Sequence, residues 1–332
     1  MNENMKIIGI LPVYEEADWI EYAVKNIIDF VDILIIAEGY QGPFWHFWGN
    51  RSKDGTLKIL DKLVKKYPAK IKKIKCAWGL HVNRGKCRTH NRALALIKKL
   101  GFFQQDNWYF LVDSDEFYTK ESLKEIKKTI IKTDKDFFYV HDRMFFYNFK
   151  YFISATHGRL FRLTNGLHFK PAQWPCYANG TPYVSHPEKV GYLLKGEPMF
   201  HYCFIRSTRR ILKKIQMEFL SGAYKSLVFV WLDEIFLNWT ENKAEEIYKK
   251  NQKITNIFGI LYGGEPLKLE KYNDSHPEAL DDHPYRHIKD IRKVDFKSKG
   301  SDYIDWVVFL SKMHSFIKPL FKFKTYLKNK FY

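Results

Sequence analysis

The run Trp108-Tyr109-Phe110-Leu111-Val112-Asp113-Ser114-Asp115-Glu116-Phe117-Tyr118 decides how the rest of this chain is read. Its apolar half, Tyr109 to Val112, has the continuous hydrophobicity of a strand buried on both faces, and it delivers Asp113, Asp115 and Glu116 at its carboxyl end. In an open α/β sheet that end is where ligands bind. Two aspartates one residue apart can turn carboxylate oxygens toward a single hard divalent cation, which keeps positions open for phosphate oxygens and water. A structural reading is open as well: a strand followed by an acidic cap, with Asp115 or Thr119 capping a helix from Glu121 to Lys132.

Upstream of this run the pattern alternates. Lys6 to Val13 is a buried-strand pattern, and Pro12-Val13-Tyr14-Glu15 leads into a helix with Ile20, Ala23, Val24, Ile27 and Ile28 at helical spacing. Ile33 to Ala37 is a second strand ending at Glu38. Ser52-Lys53-Asp54-Gly55-Thr56 opens a second amphipathic helix, with Asp54 or Thr56 as its cap. Ile71 to Cys76 is a third strand, Asn83-Arg84-Gly85-Lys86 a connection, and Arg88 to Leu100 a third helix. Strands alternating with helices predict a mostly parallel central sheet with helices on both faces.

The chain has 332 residues, of which 45% are hydrophobic and 17% aromatic, so it can bury a sizeable core. Its 55 Lys and Arg against 37 Asp and Glu give a net charge of +18, which suits a polyanionic partner and equally a soluble basic protein. Cys76, Cys87, Cys176 and Cys203 lack paired zinc spacing and are too few for a disulfide scaffold, so reduced thiols and a cytoplasmic setting are expected. The first apolar run is too short for a signal peptide and leads into acidic residues. No apolar segment reaches the roughly 20 residues that span a bilayer.

Four ordered motifs carry a resemblance: Pro12-Val13-Tyr14-Glu15, Ser52-Lys53-Asp54-Gly55-Thr56, Asn83-x-Gly85 with Arg88 and Asn91, and Asp113-Ser114-Asp115. Together they resemble the family-two glycosyltransferases of the GT-A fold across roughly the first 120 residues. The resemblance implies an α/β GT-A architecture: residues 1–130 the nucleotide-sugar half, 131–260 a mixed acceptor-side half, and 261–332 a C-terminal extension. It implies a nucleoside diphosphate sugar donor (a UDP- or GDP-sugar), a Mn2+ or Mg2+ ion, and transfer to an acceptor hydroxyl with inversion. Carried onto this chain, Pro12, Tyr14, Glu15, Glu38, Arg88, Asn91, Asp113 and Ser114 would line the donor pocket. Asp113 and Asp115 would hold the metal, joined by His201 from the late strand Phe200-His201-Tyr202. A phosphatase of the haloacid dehalogenase type is set aside, because it needs Thr or Val four residues after the first aspartate and Phe117 stands there.

The chain departs from the family pattern after the second strand, where one acid, Glu38, precedes a long loop containing Phe44, Trp45, His46, Phe47 and Trp48. That loop reads either as a stacking platform for a base or sugar or as an aromatic plug on the sheet. Further on, Phe137 to Val140 and Met144 to Phe149 read as two strands parted by His141-Asp142-Arg143. Where family members carry a His-Glu pair this chain has Gln173-Trp174, so Asp142, Glu188 and Glu197 stand as candidate bases, one of them expected to act. Thr208 to Tyr224 and Lys225 to Asn251 read as C-terminal helices covering the acceptor side, and His283-Pro284-Tyr285-Arg286-His287 as a turn. The basic aromatic end, 306–332, suits either an anionic membrane surface or docking on the body. The acceptor could be a glycan, a lipid or a protein.

Two rivals make different demands. A basic nucleic-acid-binding protein would collect its cations on one face and have no use for Asp113 and Asp115, and the resemblance implies no nucleic acid. A catalytically silent GT-A scaffold would have Asp113 and Asp115 engaged by Lys or Arg.

Overall fold

The computed structural model describes residues 4–42, 49–79, 82–146, 148–171, 174–193, 198–207, 210–211, 240–243, 246 and 269–289. The aromatic loop 43–48, Gln173, Glu197, most of the two late helices and the tail 306–332 lie outside the described residues.

Strands β1 (Ile7–Val13), β2 (Ile33–Glu38), β3 (Ile71–Lys75) and β4 (Trp108–Leu111) run parallel in the order β3-β2-β1-β4. Between them come α1 (Ile20–Ile27), α2 (Thr56–Lys66) and α3 (Val82–Lys99). After β4 the chain makes the two-residue strand β5 (Glu116–Phe117) and then α4 (Lys120–Lys132). Thr119 caps α4 by accepting the Ser122 N–H at 3.0 Å, which settles the choice between Asp115 and Thr119.

The expected helices on both faces are present. Alternate residues of each strand point to opposite sides. Leu11, Val13, Leu34, Ile36, Phe110 and Val112 pack with α1, α2 and α4 on one side. Ile8, Ile10, Ile35, Tyr109 and Leu111 pack with Ala93, Leu94 and Ile97 of α3 on the other. Each such side chain contributes about 1.5–3 kcal/mol by leaving water, so the all-buried strands β2 and β4 have no solvent face to spare.

The second half is mixed. A long hairpin of β6 (Phe137–Phe146) and β7 (Tyr151–Arg162) joins the sheet by pairing β7 antiparallel to β4. The short ribbon β8 (His168–Lys170) and β9 (Trp174–Cys176) forms a separate two-stranded sheet. The outer edge of β6 is shared by β10 (Val190–Leu193) along its first half and β11 (Met199–Phe204) along its second. β12 (Leu269–Lys271) pairs with the start of β7, and β5 returns antiparallel to β11.

Two expectations are corrected. β6 is one strand, not two: His141 and Arg143 face one side and Asp142 the other, so the polar triplet alternates within the ladder. And α3 begins at Val82, six residues before Arg88, because its first turns pack on the β2–α2 connection. At Gly85 a β-carbon would lie 1.8 Å from the Gln41 carbonyl oxygen.

Candidate active site

The order β3-β2-β1-β4 reverses direction at β1: successive strands are laid to one side of it, and β4 is laid on the other. A reversal of this kind opens a crevice at the carboxyl ends of the two strands. Here the crevice is flanked by Tyr14, Glu15 and Glu16 after β1 and by Asp113 to Glu116 after β4.

The β1 end is built by two distant motifs acting together. Ser52 Oγ accepts the Glu15 N–H at 2.8 Å, Thr56 Oγ1 accepts the Glu16 N–H at 2.8 Å, and Asp54 Oδ2 accepts the Ala17 N–H at 3.1 Å. Glu38 Oε1 in turn accepts the Ser52 N–H at 2.7 Å, and its Oε2 lies 3.8 Å from Arg51. The stitching holds Glu15 at φ +54°, a left-handed conformation uncommon outside glycine and concentrated at functional sites. The Tyr14 ring lies 5.4 Å from Tyr40, and burial, then the Glu15 charge, raise its phenol pKa.

At the β4 end, Glu116 is fully buried and accepts the Asp113 N–H at 3.0 Å, closing the turn that carries Ser114, itself buried. Arg159 of β7 meets Glu116 through two nitrogens and reaches Asp113 Oδ2 at 3.4 Å. Burial pushes the Glu116 carboxyl up to about 7 against the pull of Arg159. Asp113 keeps 45% of its side chain exposed. Asp115 is buried; Arg206, just after β11, donates to its Oδ2 at 2.5 Å and to Glu16 at 2.5 Å. Arg210 bonds Glu15, Glu16 and the Tyr14 carbonyl.

Because β5 pairs with β11 and the Tyr202 N–H binds the Asp115 carbonyl at 2.8 Å, His201 is brought beside Asp115. His201 Nε2 lies 3.5 Å from Asp115 Oδ1, and its Nδ1 lies 3.2 Å from Asp142 Oδ2. His157 Nδ1 is 2.9 Å from the same Asp142 oxygen. Burial works against charge on His201, but Cys203, Asp142 and Asp115 outweigh it and hold the ring protonated well above the usual range. Burial likewise opposes the Asp142 charge, and the two imidazoles hold its pKa down; His157 is pushed down by its own burial.

Asp142, His157 and His201, all buried, present ligand atoms within 4.8 Å of one another and can hold a metal ion. The expected set Asp113, Asp115 and His201 offers oxygen and imidazole donors but is not gathered in the same way, since Arg206 holds Asp115 and Arg159 reaches Asp113. Setting aside the Arg159–Glu116 pair, the carboxylates of Glu15, Glu16, Asp113, Asp115 and Asp142 outnumber the cations Arg206, Arg210 and His201 by two. A divalent ion would have to displace a proton from His201, leaving oxygen and imidazole donors that suit Mn2+.

The remaining expected residues fall elsewhere. Pro12 lies within β1, opposite Ala37. Asn91 spends both ends of its amide on the Phe169 peptide at 2.8 and 3.0 Å, tying α3 to β8. Arg88 donates to the Trp78 carbonyl at 3.2 Å on the surface. Of the candidate bases, Asp142 is fully buried between its imidazoles. Glu188 precedes β10 beside Asp136, at the amino-terminal edge of the sheet, across from Asp113. Glu197 is outside the described residues.

The sequence reading assigns no role to His157, Arg159, Arg206 or Arg210. Arg159 had a usable signal: an arginine inside an apolar strand, as in Gly158-Arg159-Leu160-Phe161, needs a buried acid to pair with.

No family model and no curated protein matches this chain. Among solved structures, S. aureus TarS 1–349 aligns at 13% identity with a TM-score of 0.39, covering 76% of this chain and 81% of that one. A longer S. aureus TarS structure aligns at 14% and 0.37, covering 77% and 48%, so this chain spans about half of it. A 4-diphosphocytidyl-2C-methyl-D-erythritol synthase aligns at 13% and 0.36, covering 58% and 90%. Overlaps this loose put no weight on the chemistry, which rests on the residues above. Among the described residues no helix is long and apolar enough to cross a membrane.

Proposed function

We propose that this chain is a glycosyltransferase that binds a nucleoside diphosphate sugar at the β1/β4 crevice and transfers the sugar, with inversion, to an acceptor hydroxyl. The observation that carries this is the meeting of Asp115 and His201, from two distant strands, at the carboxyl edge where the strand order reverses, with the part-exposed Asp113 two residues before Asp115. Asp113, Asp115 and His201 would hold a Mn2+ or Mg2+ ion, which when bound supplies positive charge for the departing diphosphate. Tyr14, next to the left-handed Glu15, offers a ring face for the nucleoside. Arg206 and Arg210 keep Glu15, Glu16 and Asp115 in fixed positions, so the polar groups need little reorganisation during reaction.

The test is a screen of nucleotide sugars for Mn2+-dependent release of nucleoside diphosphate. One UDP- or GDP-sugar should be consumed, and Asp115→Asn should abolish turnover with the fold intact. Unchanged turnover in Asp115→Asn would remove its assigned role.

One observation favours a second reading, a silent scaffold: Arg206 donates to Asp115 at 2.5 Å and Arg159 reaches Asp113. That reading expects no nucleotide sugar to be hydrolysed or transferred and no Mn2+ to bind.

A further inference from the structure

We infer that Asp142 is a positioning residue: through Nδ1 of His201 it fixes which ring nitrogen faces Asp115, and so prepares His201 to bind the cation. This rests on the reading above, in which Asp115 and His201 share a divalent ion.

An imidazole ring can present either nitrogen in either of two flipped orientations, and a hydrogen bond to one nitrogen selects the face offered by the other. Here Nδ1 points to Asp142 Oδ2 at 3.2 Å and Nε2 points to Asp115 Oδ1 at 3.5 Å. The ring is therefore slung between an inner carboxylate and an outer one. The inner one, Asp142, also belongs to the Asp142, His157 and His201 group, so the test must separate a positioning role from a ligand role. Asp142 is 0% exposed, in the middle of β6, and cannot reach an acceptor. Burying a carboxylate is costly unless it is paired, and among the described residues Asp142 is paired with rings: His157 Nδ1 at 2.9 Å from β7 and His201 from β11. Its second oxygen, Oδ1, is buried without a hydrogen-bond partner among the described residues, and both imidazoles meet Oδ2. His157 also stands edge-on to His201, with centroids 5.7 Å apart at 83°, and limits the tilt of the ring. Three strands thus hold one side chain.

The experiment measures Mn2+ binding by titration calorimetry on the full chain, with circular dichroism and thermal melts as a check of the fold. Asp142→Asn should weaken Mn2+ binding by ~10–100-fold, the usual effect of losing such an outer partner, and Asp142→Glu should recover part of the loss. His157→Gln should change it less than Asp142→Asn. Unaltered binding in a folded Asp142→Asn protein overturns the inference, while Asp115→Asn losing Mn2+ keeps the proposed function standing. If Mn2+ does not bind the wild type, or Asp115→Asn binds it normally, the cation reading itself fails. Binding that survives Asp115→Asn but is lost in His157→Gln locates the ion among Asp142, His157 and His201 and overturns the positioning role. Should Asp142→Asn not fold, 15N-histidine spectra of the wild type with Cd2+ as a diamagnetic probe decide: His201 should stay protonated on Nδ1 and bind through Nε2. Binding through Nδ1 overturns the inference.

Discussion

The Ser52 hydroxyl accepts the backbone N–H of Glu15 at 2.8 Å, although the two residues are 37 positions apart. The bond is buried, and it lies under the one non-glycine residue of the described chain that has a positive φ. Removing the acceptor in Ser52→Ala leaves a buried N–H unsatisfied, which costs about 1–3 kcal/mol. Urea denaturation should show a loss in that range without a change in the m-value. A loss below about 0.5 kcal/mol would mean that water replaces the hydroxyl and that Glu15 is held by other means.

Arg159 and Glu116 form a pair with almost no access to solvent. Breaking a buried pair by removing one partner costs about 3–5 kcal/mol, because the other charge is stranded, whereas replacing both is far cheaper. Arg159→Met should therefore destabilise strongly, and Arg159→Met combined with Glu116→Gln should recover much of the loss. Measured in a double-mutant cycle, additive losses would show that the two do not depend on each other.

The first half of this architecture was legible because its strands are buried on both faces: runs such as Ile33-Leu34-Ile35-Ile36-Ala37 leave few alternatives. The aspartates after β4 were legible for the same reason, as the polar end of an apolar run. What the sequence hid is everything made by pairing across distance. Asp142 reads as part of a break between strands because its carboxylate is met by His157 and His201, 15 and 59 residues away, and no local pattern announces such partners. Arg206, which grips Asp115, was hidden likewise. Asn91 and Glu188 show the converse: a motif can place a residue near the right helix or strand without saying which groups it will bond. Asn91 meets the Phe169 peptide only because β8 folds back on α3.

Gly85 tests whether the resemblance motif Asn83-x-Gly85 is a packing device. A β-carbon there would lie 1.8 Å from the Gln41 carbonyl oxygen and 2.9 Å from that of Ala77, both backbone atoms that cannot rotate aside. Gly85→Ala should force α3 away from the β2–α2 connection and cost about 1–3 kcal/mol, as overpacking does. Since helical propensity alone favours alanine by about 1 kcal/mol, a stabilised variant would show that the helix start has room to shift. Thermal melts of the two proteins under one buffer decide it.

Acid should unfold this chain through histidines held neutral. His90 is fully enclosed, its Nδ1 2.7 Å from the Tyr109 hydroxyl, and burial pushes its pKa down to about 4. His283 stacks on Trp19 at 4.1 Å, accepts the Tyr285 N–H on Nδ1 and faces the Asp18 carbonyl with Nε2; burial brings it to about 4 as well. In the unfolded chain both would titrate at about 6.5. Between those values the unfolded state binds more protons, so stability rises with pH and is lost as the pH falls from about 6.5 toward 4. Each site contributes up to about 3 kcal/mol of that loss, at about 1.4 kcal/mol per pH unit. His90→Gln retains a hydrogen-bonding group for Tyr109 and removes one titration. Its unfolding free energy, measured by urea at intervals from pH 7 to pH 4, should fall less steeply than that of the wild type, and parallel curves would show that His90 is not a source of the acid sensitivity.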